Sequence, residues 1–215
     1  MIPSVRDVMS EKRVQYGIYA VIGIVVLGGL WFGYKQYQAR NERNAFKEFS
    51  QASDAYLRIT TLADAEDQLR DSDRAFFAGA EAHRSSVLYP YFLAFQADAL
   101  IRLGKITDAA RQLDKAIKAM DRQHPLYYLY ALKAALVKID TQDAELEKQG
   151  RAELDALSSD RANPLEDMAL YYSALDASSR DEHERSQAQF KKIIAHNKRD
   201  SYWYLLADQK ITSGS

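Results

Sequence analysis

The sequence predicts an all-α protein: an N-terminal membrane helix followed by a stack of about four helical hairpins and a C-terminal capping helix. Three observations carry that prediction. Pro90, Pro125 and Pro164 recur about 35 and 39 residues apart, each ahead of a run rich in Tyr, Phe and Leu. Proline lacks an amide hydrogen, so it suits the first turn of a helix and disrupts its interior. Between these marks the apolar residues follow a helical period and never a strand-like alternation, which is the pattern of a helical repeat array. Finally, residues 17–34 read GIYAVIGIVVLGGLWFGY, 18 residues without a charge.

That uncharged stretch is the first element. At 1.5 Å per residue it reaches about 27 Å, close to the ~30 Å hydrocarbon core of a bilayer. Tyr16 and Tyr19 flank one end, and Trp31, Tyr34 and Tyr37 the other, as interfacial aromatic belts do. The segment Tyr37-Gln38-Ala39-Arg40 offers no small-x-small cleavage site, so residues 16–37 read as a retained anchor behind a tail of residues 1–15. Arg6, Lys12 and Arg13 precede the span, while Lys35, Arg40, Arg43 and Lys47 follow it, so flanking charge alone leaves orientation nearly tied. Gly29 and Gly33 stand four apart. Such spacing lets a second membrane helix approach closely, although glycine is also simply frequent in membrane helices.

The helical domain is expected over residues 38–215. Phe46, Phe49, Ala52, Tyr56 and Leu57 are helix-spaced, so the membrane helix either continues into this domain or resumes after a short break. A second helix, about 63–83, places Leu69, Phe76, Phe77 and Ala80 on one side. Three hairpins opened by the prolines follow, the first turning at Leu103-Gly104-Lys105, where glycine can take the left-handed conformation that ends a helix. A last helix starts near Asp200-Ser201 with a polar cap. Across the second helices, Phe77, Leu113, Leu154 and Phe190 form one register, with Ala80, Ala116, Leu157 and Ile193 three residues on. That is a stripe packing back onto the preceding helix.

The Pro90 pair resembles a tetratricopeptide repeat: small Ala97, bulky Leu100, Gly104 at the turn, then Ala109-x-x-x-Leu113 and Ala116. It departs from the motif at Leu93, where Trp is preferred, and at Gln96, where Leu is. A tail, one span and a degenerate tetratricopeptide-like domain together resemble the YfgM-like family of bacterial inner-membrane proteins. The resemblance implies a single-pass protein with a cytoplasmic N-terminus and a periplasmic C-terminal domain. It also implies association with the protein-translocation channel and with periplasmic chaperones. The leading expectation is an interaction module at the export machinery, with the holding of exported clients as an extension of that role. A structural adaptor in another envelope complex, for division or outer-membrane assembly, is the alternative.

Chemistry is sparse. Net charge is −1, with seven basic against three acidic residues in positions 1–47, which leaves the array acidic and gives no footprint for nucleic acid. There is no cysteine, which excludes disulfides, thiolate metal sites and cysteine nucleophiles. His83, His124, His183 and His196 lack metal-ligand spacing, and Asp181-Glu182-His183-Glu184 reads as a solvated helix start. No phosphate-cradling loop and no nucleophile turn occurs. No catalytic residue, metal, cofactor or small-molecule substrate is expected. Tyrosine is the conspicuous excess, fourteen in all, many opening successive first helices. They serve either as core between helices or as a concave peptide-reading face. Tyr127, Tyr128 and Tyr171 are the ones expected to be exposed and to bind partners.

Overall fold

The computed structural model describes the backbone of residues 5–59 and 65–213, and side chains from residue 27 onward, residues 28 and 213 excepted. Among the described residues there are nine helices and no strand. They are α1 (Val5–Leu57), α2 (Ala65–Ala82), α3 (Tyr89–Arg102), α4 (Ile106–Lys118), α5 (Tyr127–Ile139), α6 (Ala144–Leu157), α7 (Glu166–Ser179), α8 (His183–His196) and α9 (Tyr202–Ser213). Each helix packs on the next, so pairs α1–α2, α3–α4, α5–α6 and α7–α8 stack in chain order and α9 closes the end.

One long helix carries both the expected anchor and the first helix of the array. Residues 16–26 and 28 of the expected span lie outside the described side chains. Further along, Leu27, Leu30, Trp31, Phe32, Tyr34 and Tyr37 are all exposed. Among the described residues no helix is long and apolar enough to cross a membrane. Past residue 44 the same helix turns inward: Ala45 and Ala52 are buried, and Phe49 and Tyr56 pack on the core.

Phe49 meets Phe92 and Phe95 of α3 edge-on, at 5.2 and 5.1 Å between ring centroids, and Phe76 of α2 lies 5.5 Å from Phe95. Edge-to-face pairs at this spacing add stability beyond their buried area. The aromatic ties continue between first helices, from Phe49 to Tyr91 and from Tyr91 to Tyr130 of α5. The next layer is aliphatic: Ala97, Leu100, Ala109, Ala110, Leu113, Ala134 and Val137. Two further clusters join α5, α6 and α7, and then α7, α8 and α9.

Several expectations need correction. Phe77 is 51% exposed, and Phe76 takes its core position. Consecutive helical residues point about 100° apart, so only one of two adjacent rings can face the core. Phe46 and Leu57 are exposed for the same reason, and Leu157 is only half-buried. Pro90 lies in the first turn of α3, but Pro125 and Pro164 lie two residues before α5 and α7. The repeat is therefore marked by the residue preceding each helix, Leu88, Leu126 and Leu165, 38 and 39 residues apart.

The loops entering these helices share one construction. The amide of Leu88 donates to Ser86 Oγ (3.1 Å), that of Leu126 to His124 Nδ1 (3.2 Å), and that of Leu165 to Asn163 Oδ1 (2.9 Å). Ser201 does the same work before α9, accepting from the Tyr204 amide. Exits repeat as well. Gly104 has φ +72°, with Lys105 N bonded to Leu100 O and Gly104 N to Ile101 O. Asp181, at φ +61°, ends α7 through the same pair of bonds, from Glu182 N to Ala177 O and from Asp181 N to Ser178 O. This is the left-handed helix ending, with aspartate standing in for glycine.

Candidate protein-docking site

A groove of about 400 Å³ runs between α4 and α6 with α5 as its floor. Ile117, Ala131 and Leu157 supply an apolar bed, and Lys118, Arg122, Glu153 and Asp160 stand on the rim. Tyr127 and Tyr128 open α5 at one end, with ring centroids 5.4 Å apart and planes nearly perpendicular. Tyr127 is half-buried and presents one edge to the groove. Tyr128 is only 8% exposed, which corrects the expectation that it is an open contact residue. Its hydroxyl donates to Asp160 Oδ2 at 3.2 Å, and Arg122 Nη2 reaches the same oxygen at 2.7 Å. The Asp160 carboxyl is held below its usual range by the Ala162 amide first and by Arg122 next. Tyr128 and Asp160, in that order, raise the Arg122 guanidinium in turn. Tyr128 is thus a strut that ties the α5 entrance to the loop after α6.

Beneath the groove lies Lys138, with no exposed side-chain surface. It occupies the place that Leu100 and Ala177 hold in the neighbouring hairpins, counted from Leu126, Leu88 and Leu165. Its Nζ pairs with Asp114 of α4 at 2.7 Å and with both Glu153 oxygens of α6 at 2.7 and 2.8 Å. A buried ammonium is tolerable only when paired and hydrogen-bonded, and these two carboxylates satisfy its three donors. Similar polar ties cross other junctions. Gln96 donates to Asp73, Lys133 pairs with Asp98, and Ser173 donates to Asp155.

The other residues singled out by sequence lie elsewhere. Tyr171 does not join Tyr127; its ring sits 5.7 Å from Phe190 and 5.8 Å from Trp203, as part of the α7–α8–α9 core. Burial first, then Tyr202 and Tyr172, push its hydroxyl pKa up. Gly29 and Gly33 lie on exposed α1, and a Cβ added at either would meet nothing within 4 Å. Among the described residues no cluster of His, Asp and Glu is placed to hold a metal ion. His83 contacts Asn41 Oδ1 at 2.8 Å, and His124 caps α5 while its Nε2 meets the Tyr91 hydroxyl at 3.0 Å.

Sequence reasoning missed Lys138, because a lysine in a charged-rich chain reads as surface. It also missed two glycines. A Cβ on Gly79 would stand 2.2 Å from the Phe92 ring, and one on Gly150 would stand 2.6 Å from the Ala135 carbonyl oxygen. Both let second helices approach first helices closely. No family model matches the chain, and no curated protein or solved structure matches it either.

Proposed function

We propose that the chain is a membrane-anchored helical-array scaffold of the YfgM-like kind, working at the bacterial protein-export machinery. In this reading the N-terminus is cytoplasmic, one span crosses the inner membrane, and the array faces the periplasm. There it contacts the translocation channel and periplasmic chaperones and holds exported clients. The observation that carries the reading is α1. A single helix leads from a run of exposed Leu, Trp, Phe and Tyr side chains directly into the core of the first hairpin pair. Such a joint would fix the array's attitude to the bilayer surface, as a scaffold beside a channel requires.

The groove holding Tyr127 offers a docking surface, since a half-exposed tyrosine over an apolar bed with an ionic rim matches the anatomy of interface hot spots. The test is co-purification from detergent-solubilised membranes, with wild type compared to Tyr127→Ser. Channel subunits and chaperones should accompany the wild type. The variant should recover several-fold less of them while keeping full helicity, because a hot-spot tyrosine contributes about 2 kcal/mol or more. A division or outer-membrane assembly complex recovered in place of the channel would support the adaptor alternative and overturn the export reading.

A further inference from the structure

We propose that a second groove, between α2 and α4 with α3 beneath it, binds an acidic peptide segment that carries a large apolar side chain. This deepens the reading of the array as a protein-binding scaffold, and it rests on that reading but not on which compartment the array faces.

The groove measures about 600 Å³. Its charges do not balance once their partners are assigned. Of the three carboxylates that line it, Asp73 accepts from Gln96 Nε2 at 2.8 Å, Asp108 pairs with Arg111 at 3.2 Å, and Asp114 is engaged by buried Lys138 at 2.7 Å. Lys105, Lys115 and Lys118 also line the groove, are exposed, and make no ion pair with any described residue. Gln96 is neutral and leaves the Asp73 charge in place, so three lysines without an ion pair stand against one unneutralised carboxylate and the groove lining keeps an excess of positive charge in a chain whose overall charge is −1. Charge complementarity of this kind steers and selects an anionic partner.

One further feature favours a polypeptide over a simple anion. Phe77 lines the groove and is half exposed, a position where a partner's apolar side chain would find a flat ring. A segment with carboxylates on either side of one aromatic residue would satisfy the lysines and the ring together. A phospholipid headgroup supplies anionic oxygens but no ring.

The experiment uses the full chain in detergent and a fluorescent synthetic peptide with one phenylalanine flanked by glutamates, read by anisotropy. Saturable binding that weakens as salt rises is expected, because exposed charges are screened beyond about 10 Å at 0.1 M. The Lys105→Glu/Lys115→Glu double variant, which leaves Lys118 on the rim of the Tyr127 groove untouched, should bind about tenfold or more weakly, and Phe77→Ser should lose several-fold. The same charge reversal placed outside the groove, Lys198→Glu/Arg199→Glu, should leave affinity unchanged. All four lysine and arginine sites are exposed, so circular dichroism should report one helical content throughout. No peptide binding by the wild-type chain would overturn the proposal, as would equal loss in the control variant. Capture of vesicles containing phosphatidylglycerol, abolished by the groove variant while the peptide fails to bind, would likewise overturn it and assign the lysines to the bilayer. None of these outcomes depends on topology, so a failure here is distinct from a failure of the export reading.

Discussion

Lys138 shows how a single position can depart from the logic of its own repeat. Its counterparts, Leu100 and Ala177, are buried and apolar, and the lysine keeps its place by drawing Asp114 and Glu153 from the helices on either side. Desolvating an ammonium costs several kcal/mol, and the attraction of two carboxylates roughly repays that cost without leaving much surplus. Both carboxylates keep about a third of their surface in water, so they can be rehydrated if the lysine disappears. Lys138→Met, which conserves volume and removes the charge, should therefore melt at or slightly above the parent temperature. The Asp114→Ala/Glu153→Ala pair leaves the cation buried and alone and should cost about 3–5 kcal/mol. Thermal unfolding followed by circular dichroism in detergent reads both. The reverse ranking would mean that water reaches Lys138 through the groove above it.

Helices and turns were unevenly legible. The stripe Leu113, Ala116, Leu154, Phe190 and Ile193 could be read directly, because helical periodicity fixes which face is apolar and all five are buried. Phe77 was misread, since periodicity cannot choose between two adjacent rings until the neighbouring helix is placed. The loop construction stayed hidden for a chemical reason. Serine, histidine and asparagine look unrelated as letters, yet each offers an acceptor to the amide two residues on. The prolines misled because Pro90 belongs to a helix while Pro125 and Pro164 belong to the turn before one. Of the three tyrosines expected to be exposed, Tyr127 and Tyr171 are half-buried and Tyr128 is buried, because a tyrosine that opens a helix can as readily brace the junction. Gly150 gives this scale its prediction. Glycine to alanine in a helix usually gains up to about 1 kcal/mol in propensity. Here the new methyl would meet a backbone carbonyl at 2.6 Å, which cannot step aside without moving α5 from α6. Overpacking of this kind costs about 1–3 kcal/mol and outweighs the gain. Gly150→Ala should lower the melting temperature. Gly79→Ala should lower it less, because the obstacle there is the Phe92 ring, a side chain and not a backbone atom.

At the scale of the whole molecule, the proposed export reading turns on the side of the membrane that the array would face. The charges flanking the proposed span argue weakly and in both directions: three basic residues precede it and four follow it closely. A large domain can be translocated regardless of a one-charge difference, because the positive-inside rule weighs short flanks against each other and does not govern long segments. Beyond residue 47 the chain is net acidic, and cysteine is absent from it. That absence makes the measurement direct. Ser4→Cys and Ser213→Cys each introduce the only thiol in the chain, near opposite ends of the sequence. Intact cells are then treated with a membrane-impermeant maleimide. Labelling at position 213 and protection at position 4 is the expected pattern, with both positions reacting once the membrane is dissolved. The opposite pattern would place the array in the cytoplasm. It would remove periplasmic chaperones and exported clients from consideration, while leaving the grooves on either side of α4 to act on cytoplasmic partners.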